Sequence, residues 1–158
     1  MVTADILERH FTPSILMLEA VISNCPEPLW RKAGNHAPLW QHIMHTIESV
    51  DYFLTDGELP YLSEPYKRHI PFDFSETDLE YIDPAACQAY YQKIKHKCEG
   101  YLSAYKDRLM EKSMRPDHYT IMDILLAQIR HIQYHVAYCS SILARYGEPD
   151  TAWLGFGE

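Results

Sequence analysis

The sequence predicts an all-α fold, a four-helix bundle in one domain, on the strength of three observations. Apolar residues recur at helical spacing in four segments, and proline or glycine marks the breaks between these segments. Strand signals are weak everywhere along the chain. The length of 158 residues suits one domain, covering 1–158, with one apolar core.

The first predicted helix covers residues 3–24, where apolar side chains repeat at helical spacing. Pro13 interrupts this segment. It either kinks the helix or begins a second piece with Thr12 as N-cap, and the sequence leaves both alternatives open. The prolines and the glycine of 25–37 then predict a connection.

The second predicted helix runs from Pro38 to Asp56, because proline suits a first turn and Gly57 is a good terminator. Residues 57–82 form a long connection that is rich in proline and aromatic residues. A loop of this length is uncommon in a compact domain and is often functional. It is long enough to cross the end of a bundle, so the next helix need not be antiparallel to the second.

The third predicted helix begins with Asp83 as N-cap and Pro84 as first residue, and it fades near Lys112. The fourth runs from Thr120 to Tyr146. At its start Thr120 and Asp123 resemble a capping box, and at its end Gly147 stands where a terminating glycine belongs. In the tail that follows, Trp153 and Phe156 are expected to be able to fold back onto the helices.

Charge and cysteine usage exclude several classes of protein. A net charge of -8 without a Lys/Arg stripe argues against a nucleic-acid partner. The four cysteines form no CxxC pair, so we expect reduced thiols. No stretch approaches the roughly 20 apolar residues that span a bilayer, and the N-terminal residues lack the apolar run of a signal peptide. We therefore expect a cytoplasmic protein without a membrane partner.

Two of the nine histidines have the spacing of metal ligands. His131 and His135 stand at i and i+4, so their imidazoles lie one turn apart on one helix face. They also continue a row on or beside the apolar stripe of the fourth helix, so the pair is expected to face inward. Buried imidazoles need a partner, and a shared divalent ion would satisfy both.

A third ligand must come from another helix, and the second helix offers His42 and His45. On a helical wheel, His42 lies near the flank of the apolar stripe and His45 on its far side, so periodicity does not select His45. The chain contains no HExxH, no Glu-x-x-His, no GxSxG and no GxxxxGK[ST], and these absences argue against several other enzyme classes.

These segments resemble the DinB-like superfamily. The stretch Leu39-Trp40-Gln41-His42-Ile43-Met44-His45-Thr46, followed by Asp51-Tyr52-Phe53-Leu54, looks like the second helix of that family. The stretch from Gln128 to Val136 looks like its last-helix HxxxH, and Gly147, Pro149 and Trp153 resemble a common ending.

The resemblance implies an up-down-down-up four-helix bundle with a long crossover between helices two and three, often homodimeric. When the metal-binding histidines of the family are matched to this sequence, the resemblance implies that His45, His131 and His135 bind one divalent ion. Imidazole ligands suit zinc, nickel or iron. Some members of the family are transferases or isomerases that use a low-molecular-weight thiol together with an electrophilic substrate.

Three kinds of function are compatible with such a triad. Three neutral imidazoles leave an open coordination position, the pattern of a catalytic site. The alternatives are a non-catalytic metal-binding or stress-associated module, and a dimerising bundle with vestigial histidines. For the enzyme, Glu48 and Tyr134 are candidate acid–base or supporting groups, and Tyr52, Trp153 and the 57–82 loop are expected to wall the pocket. Metal affinity is expected to weaken as the pH falls through about 6.5.

Overall fold

The fold is all-helical in the computed structural model, which describes residues 2–32, 37–55, 61–71, 73–76, 79–114 and 118–155. The helices are α1 (Val2–Asn24), α2 (Glu27–Trp30), α3 (Leu39–Phe53), α4 (Pro84–Tyr105) and α5 (Ile121–Arg145). Within the described ranges the one extended pairing is an isolated bridge between Lys112 and Thr120. The prediction of an all-α fold is confirmed.

The caps of α4 and α5 form as the sequence predicts. The Asp83 carboxylate accepts a hydrogen bond of 2.8 Å from the Ala86 N–H, with Pro84 in the first turn. At the start of α5 the Thr120 hydroxyl accepts from the Asp123 N–H at 3.1 Å, and the Asp123 carboxylate accepts from the Thr120 N–H at 2.9 Å. This is a complete capping box.

The beginning and end of several helices differ from the predicted limits. Helix α1 continues through Pro13, so the alternative of a second piece beginning there is wrong. A short helix, α2, lies in the segment predicted as a connection, with Pro28 in its first turn. Helix α3 ends at Phe53 rather than Asp56, and α4 ends at Tyr105 rather than near Lys112. Gly57, Phe156 and part of the 57–82 connection lie outside the described residues.

The four long helices pack around one core. Helix α1 packs against α4 and α5, and α3 packs against the same two helices. Large side chains that are almost fully buried fill the centre: Phe11, Leu18, Ile43, Ile47, Tyr91, Leu125 and Ile132. In α3 twelve of the fifteen residues are buried, so neighbouring parts of the chain cover nearly all of this helix. No helix in the described part of the chain is long and apolar enough to cross a membrane.

A buried polar cluster fastens the connection after α3 to the helices. The Asp51 carboxylate on α3 accepts hydrogen bonds of 2.8 Å from the hydroxyls of Tyr61 and Tyr90. It also forms an ion pair with Lys97 of α4, whose ammonium donates at 2.9 Å to the Asp51 carbonyl. Tyr61 belongs to the connection, so this cluster joins three parts of the chain.

Candidate metal centre

Three histidines converge where α3 meets α5. His45 comes from α3, and His131 and His135 come from α5. The Nε2 atoms of His45 and His131 are 3.0 Å apart, and one candidate ligand atom from each of the three rings lies within 4.8 Å of the other two. Zinc–nitrogen bonds of about 2.0–2.1 Å in a tetrahedral site place the nitrogens roughly 3.3 Å apart. Small ring rotations would give that geometry, so the triad could hold a metal ion.

Neighbouring contacts explain why His45 meets the α5 pair. The His42 ring lies 5.7 Å from the His135 ring, between centroids, while His45 meets His131. One turn further along α3, the Ser49 hydroxyl donates to Gln128 Oε1 at 3.2 Å. As the residue number rises in α3 it falls in α5. This register places His45 at the level of the histidine pair.

His42 is the alternative that the sequence left open, and its ring lies beside the triad. It is buried, and its ring centroid is 4.5 Å from that of Phe74 and 4.4 Å from that of Tyr138. The set of converging ligand atoms contains His45 rather than His42. The helical wheel failed to select His45 because α3 is enclosed by α4, α5 and the following connection, so its apolar stripe does not mark the only buried face.

Burial keeps the triad neutral. Together with the nearby His131 and His42 rings, burial lowers the pKa of His45 to about 3. Burial likewise lowers the pKa of His135 to about 3 and lowers that of His131. Metal binding needs neutral imidazole, so protons compete with a metal at a much lower pH than free histidine would suggest. We therefore expect metal affinity to weaken at a pH below the value of about 6.5 that is typical of free histidine.

The second ring nitrogens of the α5 pair are also buried. The Nδ1 atoms of His131 and His135 have no hydrogen-bond partner within the described structure. An unpaired buried polar atom costs about 1–3 kcal/mol. Because His131 meets His45 through Nε2, an ion at that point would leave the His131 Nδ1 unpaired, so the reason for a cation is the convergence of the three rings.

The connection after α3 closes one side of the triad. The ring centroid of Phe74 lies 4.7 Å from that of His45. Beneath it, one turn along α3, the buried Glu48 carboxylate accepts a short hydrogen bond from the Ser63 hydroxyl. Burial raises the pKa of Glu48 to about 7. A small cavity of about 20 Å³ lies on this side.

The other side of the triad opens into a much larger cavity of about 1040 Å³. His45 and His131 stand in its wall. The remaining lining residues come from α3, α5 and two neighbouring segments: His10, Ser49, Phe53, Tyr119, Asp123, Ile124, Leu126, Ala127, Gln128, Ile129 and Arg130. A ligand could therefore reach the triad from this side.

The predicted aromatic wall is partly wrong. Phe74 of the connection does contact the triad, but neither Tyr52 nor Trp153 is among the described residues that line the two cavities. Trp153 is 71% exposed. Sequence reasoning missed Phe53, which lines the open cavity. The sequence contained a signal for this position, because Phe53 follows His45 by two helical turns and therefore lies on the same helix face.

Two other candidate groups have clear positions. Tyr134 is 69% exposed and packs its ring edge-on against His135, with centroids 5.1 Å apart. Cys139, one turn beyond His135, is buried, and burial raises the pKa of its thiol to about 12. It is therefore an unreactive thiol packed in the core and is not one of the converging ligands.

Comparison with known proteins gives no family assignment. No family model, no curated protein and no solved structure matches the chain.

Proposed function

We propose that His45, His131 and His135 bind one divalent metal ion, and that the centre catalyses a reaction on a ligand held in the open cavity. The carrying observation is that three neutral imidazoles converge and that two of them, His45 and His131, stand in the wall of a cavity of about 1040 Å³. When bound, the ion would act as a Lewis acid that lowers the pKa of water or a thiol. Three protein ligands with an accessible position are typical of catalytic rather than structural zinc.

The chain's own residues have distinct tasks in this proposal. The three imidazoles hold the ion, and Phe74 shields His45 from water on the closed side. Ser49 lies one turn from His45 in the cavity wall, where its hydroxyl can contact a bound ligand. Glu48 is buried behind His45, and ionisation of its carboxyl group when the ion binds would compensate the charge of the ion.

The resemblance to the DinB-like superfamily supports the same proposal at the level of the fold. We propose an up-down-down-up four-helix bundle with a long crossover between the helices α3 and α4. Three sets of contacts support it. Helices α3 and α5 meet in antiparallel register, as the His45–His131 and Ser49–Gln128 contacts indicate.

The remaining contacts also agree with this order. Asp51 of α3 and Thr55, just after α3, both contact Lys97 of α4, and Asp51 also contacts Tyr90, which suits parallel helices. Ser14 of α1 contacts Gln133 of α5, and the charge of Glu148, just after α5, acts on Cys25, just after α1. These contacts suit a parallel α1 and α5.

The resemblance also suggests a cytoplasmic homodimer and a transferase that uses a low-molecular-weight thiol with an electrophilic substrate. The open cavity favours catalysis over a binding-only, stress-associated module, because a module that merely stores or senses metal needs no space beside the ion. Elemental analysis of freshly purified protein tests the metal, and thiol and electrophile panels test turnover.

We expect about one zinc, nickel or iron ion per chain, and loss of that metal in His135→Ala. Tyr134→Ala, which changes the exposed neighbour of His135, is the matched control and should keep the metal. Protein that is purified under mild conditions and holds no stoichiometric metal would contradict the metal site. Metal-loaded protein without turnover in any panel would leave the binding-only module as the better account.

A further inference from the structure

The open cavity has a shape and lining that indicate the chemical class of its ligand. It follows the seam between α3 and α5, starting at His45 and His131. On α3 its wall is the row His45, Ser49 and Phe53, one residue per turn. Phe53 lies eight residues after His45, which is about 12 Å along the helix at a rise of about 1.5 Å per residue.

The opposite wall comes from α5 and carries apolar side chains along its whole length, interrupted by polar ones, with Asp123 at the end far from the triad. His131 and Gln128 lie nearest the metal ligands, and Ala127 and Ile124 follow towards the start of the helix. Leu126, at the rim, is 42% exposed.

The charged groups of the rim do not select a highly charged ligand. The Asp123 carboxylate is engaged in the capping box with Thr120. Arg130 is the only other acidic or basic residue, histidine apart, among the described residues of the wall. The rim therefore carries opposite charges in equal number, and the interior is lined by Phe53, Ile124 and Ala127.

We propose that the ligand of this site has a metal-coordinating head and an unbranched apolar tail, with the tail lying along the α3–α5 seam from the triad towards Phe53. This inference rests on the proposed metal centre. A small molecule fits better than a second protein chain, because the cavity is continuous with the histidines and its volume is close to the 300–1,000 Å³ of ligand pockets.

The test is a series of linear alkyl hydroxamates, from acetohydroxamate to decanohydroxamate, titrated calorimetrically into zinc-loaded protein. The hydroxamate supplies the metal-binding head, and only the tail length changes. Each added methylene should tighten binding about threefold to fourfold until the tail reaches Phe53. Zinc-free protein should bind every member of the series far more weakly.

A matched pair of variants locates the tail. Ala127→Trp fills the seam and should abolish the dependence of affinity on tail length. Ala137→Trp, at an exposed position on the same helix, should behave as the unmodified chain. Circular dichroism and thermal unfolding verify that both variants fold. If a variant does not fold, the titrations of the unmodified chain still show whether affinity depends on tail length.

The outcomes separate the two proposals. If acetohydroxamate binds only the zinc-loaded protein but longer tails bind no tighter, the tail inference is wrong and the metal centre stands. If the protein binds neither zinc nor acetohydroxamate, the metal centre is wrong and the inference falls with it. If affinity is flat and Ala127→Trp turns a dimer into a monomer in sedimentation, a second copy of the chain occupies the seam, which overturns the inference.

Discussion

At the scale of single residues, the buried surroundings of Glu48 strongly change the pKa of its carboxyl group. It is 2% exposed, and burial raises its pKa to about 7, while the Ser63 hydroxyl hydrogen-bonded to it acts in the opposite direction. In the unfolded chain its pKa returns to about 4.3. Between these values the unfolded chain loses a proton that the folded chain retains, so stability falls as the pH rises from about 4.3 through about 7.

Glu48→Gln removes this titration and keeps an oxygen that can accept from Ser63. In metal-free protein at pH 8 we expect the variant to be more stable than the unmodified chain by about 1–3 kcal/mol, with little difference at pH 4. Urea unfolding at the two pH values measures this. Glu8→Gln, an exposed position on α1, is the control and should change little at either pH. Equal effects of Glu48→Gln at pH 4 and pH 8 would contradict the assignment.

The residues of the site differ in how far the sequence could predict them. The spacing of His131 and His135 lies within one helix, so the sequence alone was sufficient to predict that these two side chains share a face. Choosing His45 over His42 required knowing which face of α3 meets α5, and an enclosed helix does not reveal that through its apolar stripe. Phe74 could not be assigned to the triad because the path of a long connection depends on contacts distant in sequence, such as Ser63 with Glu48.

At the scale of elements, the polar cluster around Asp51 ties α3, α4 and the connection together. Burial raises the pKa of Tyr61 and of Tyr90, so both remain protonated and donate to Asp51. Lys97 adds the only positive charge in contact with this carboxylate within the described chain. Removal of that charge would leave a nearly buried carboxylate without charge compensation.

Lys97→Met should therefore destabilise the fold by about 1–3 kcal/mol in urea unfolding. Lys93→Met is the matched control on the same helix. Lys93 pairs with Glu64 at the surface, where the two side chains are 62% and 43% exposed, so its loss should cost about 1 kcal/mol or less. Comparable losses in the two variants would mean that the Asp51 cluster does not hold the connection.

Helix starts were predictable where they depend on a few adjacent residues. Asp83 with Pro84, and Thr120 with Asp123, form the caps that their side chains favour. Helix α2 was missed because four residues carry no periodicity. The question at Pro13 was undecidable from propensity alone, since packing of α1 against α4 and α5 stabilises a continuous helix despite the lost N–H donor.

At the scale of the whole molecule, the triad lies between helices that are far apart in sequence. His45 and His131 are 86 positions apart, so a shared ion would cross-link α3 to α5. An ion that binds the folded chain and not the unfolded chain stabilises the fold by mass action. The same ion would fix the end of the cavity at which the proposed ligand coordinates.

The most direct measurement is a calorimetric zinc titration of the unmodified chain, His45→Ala and His42→Ala, each freed of metal first. We expect one site per chain in the unmodified protein, loss of most affinity in His45→Ala, and retained stoichiometric binding in His42→Ala, whose ring packs on Phe74 and Tyr138 beside the triad. Loss of zinc binding in His42→Ala, with binding intact in His45→Ala, would contradict the proposed centre.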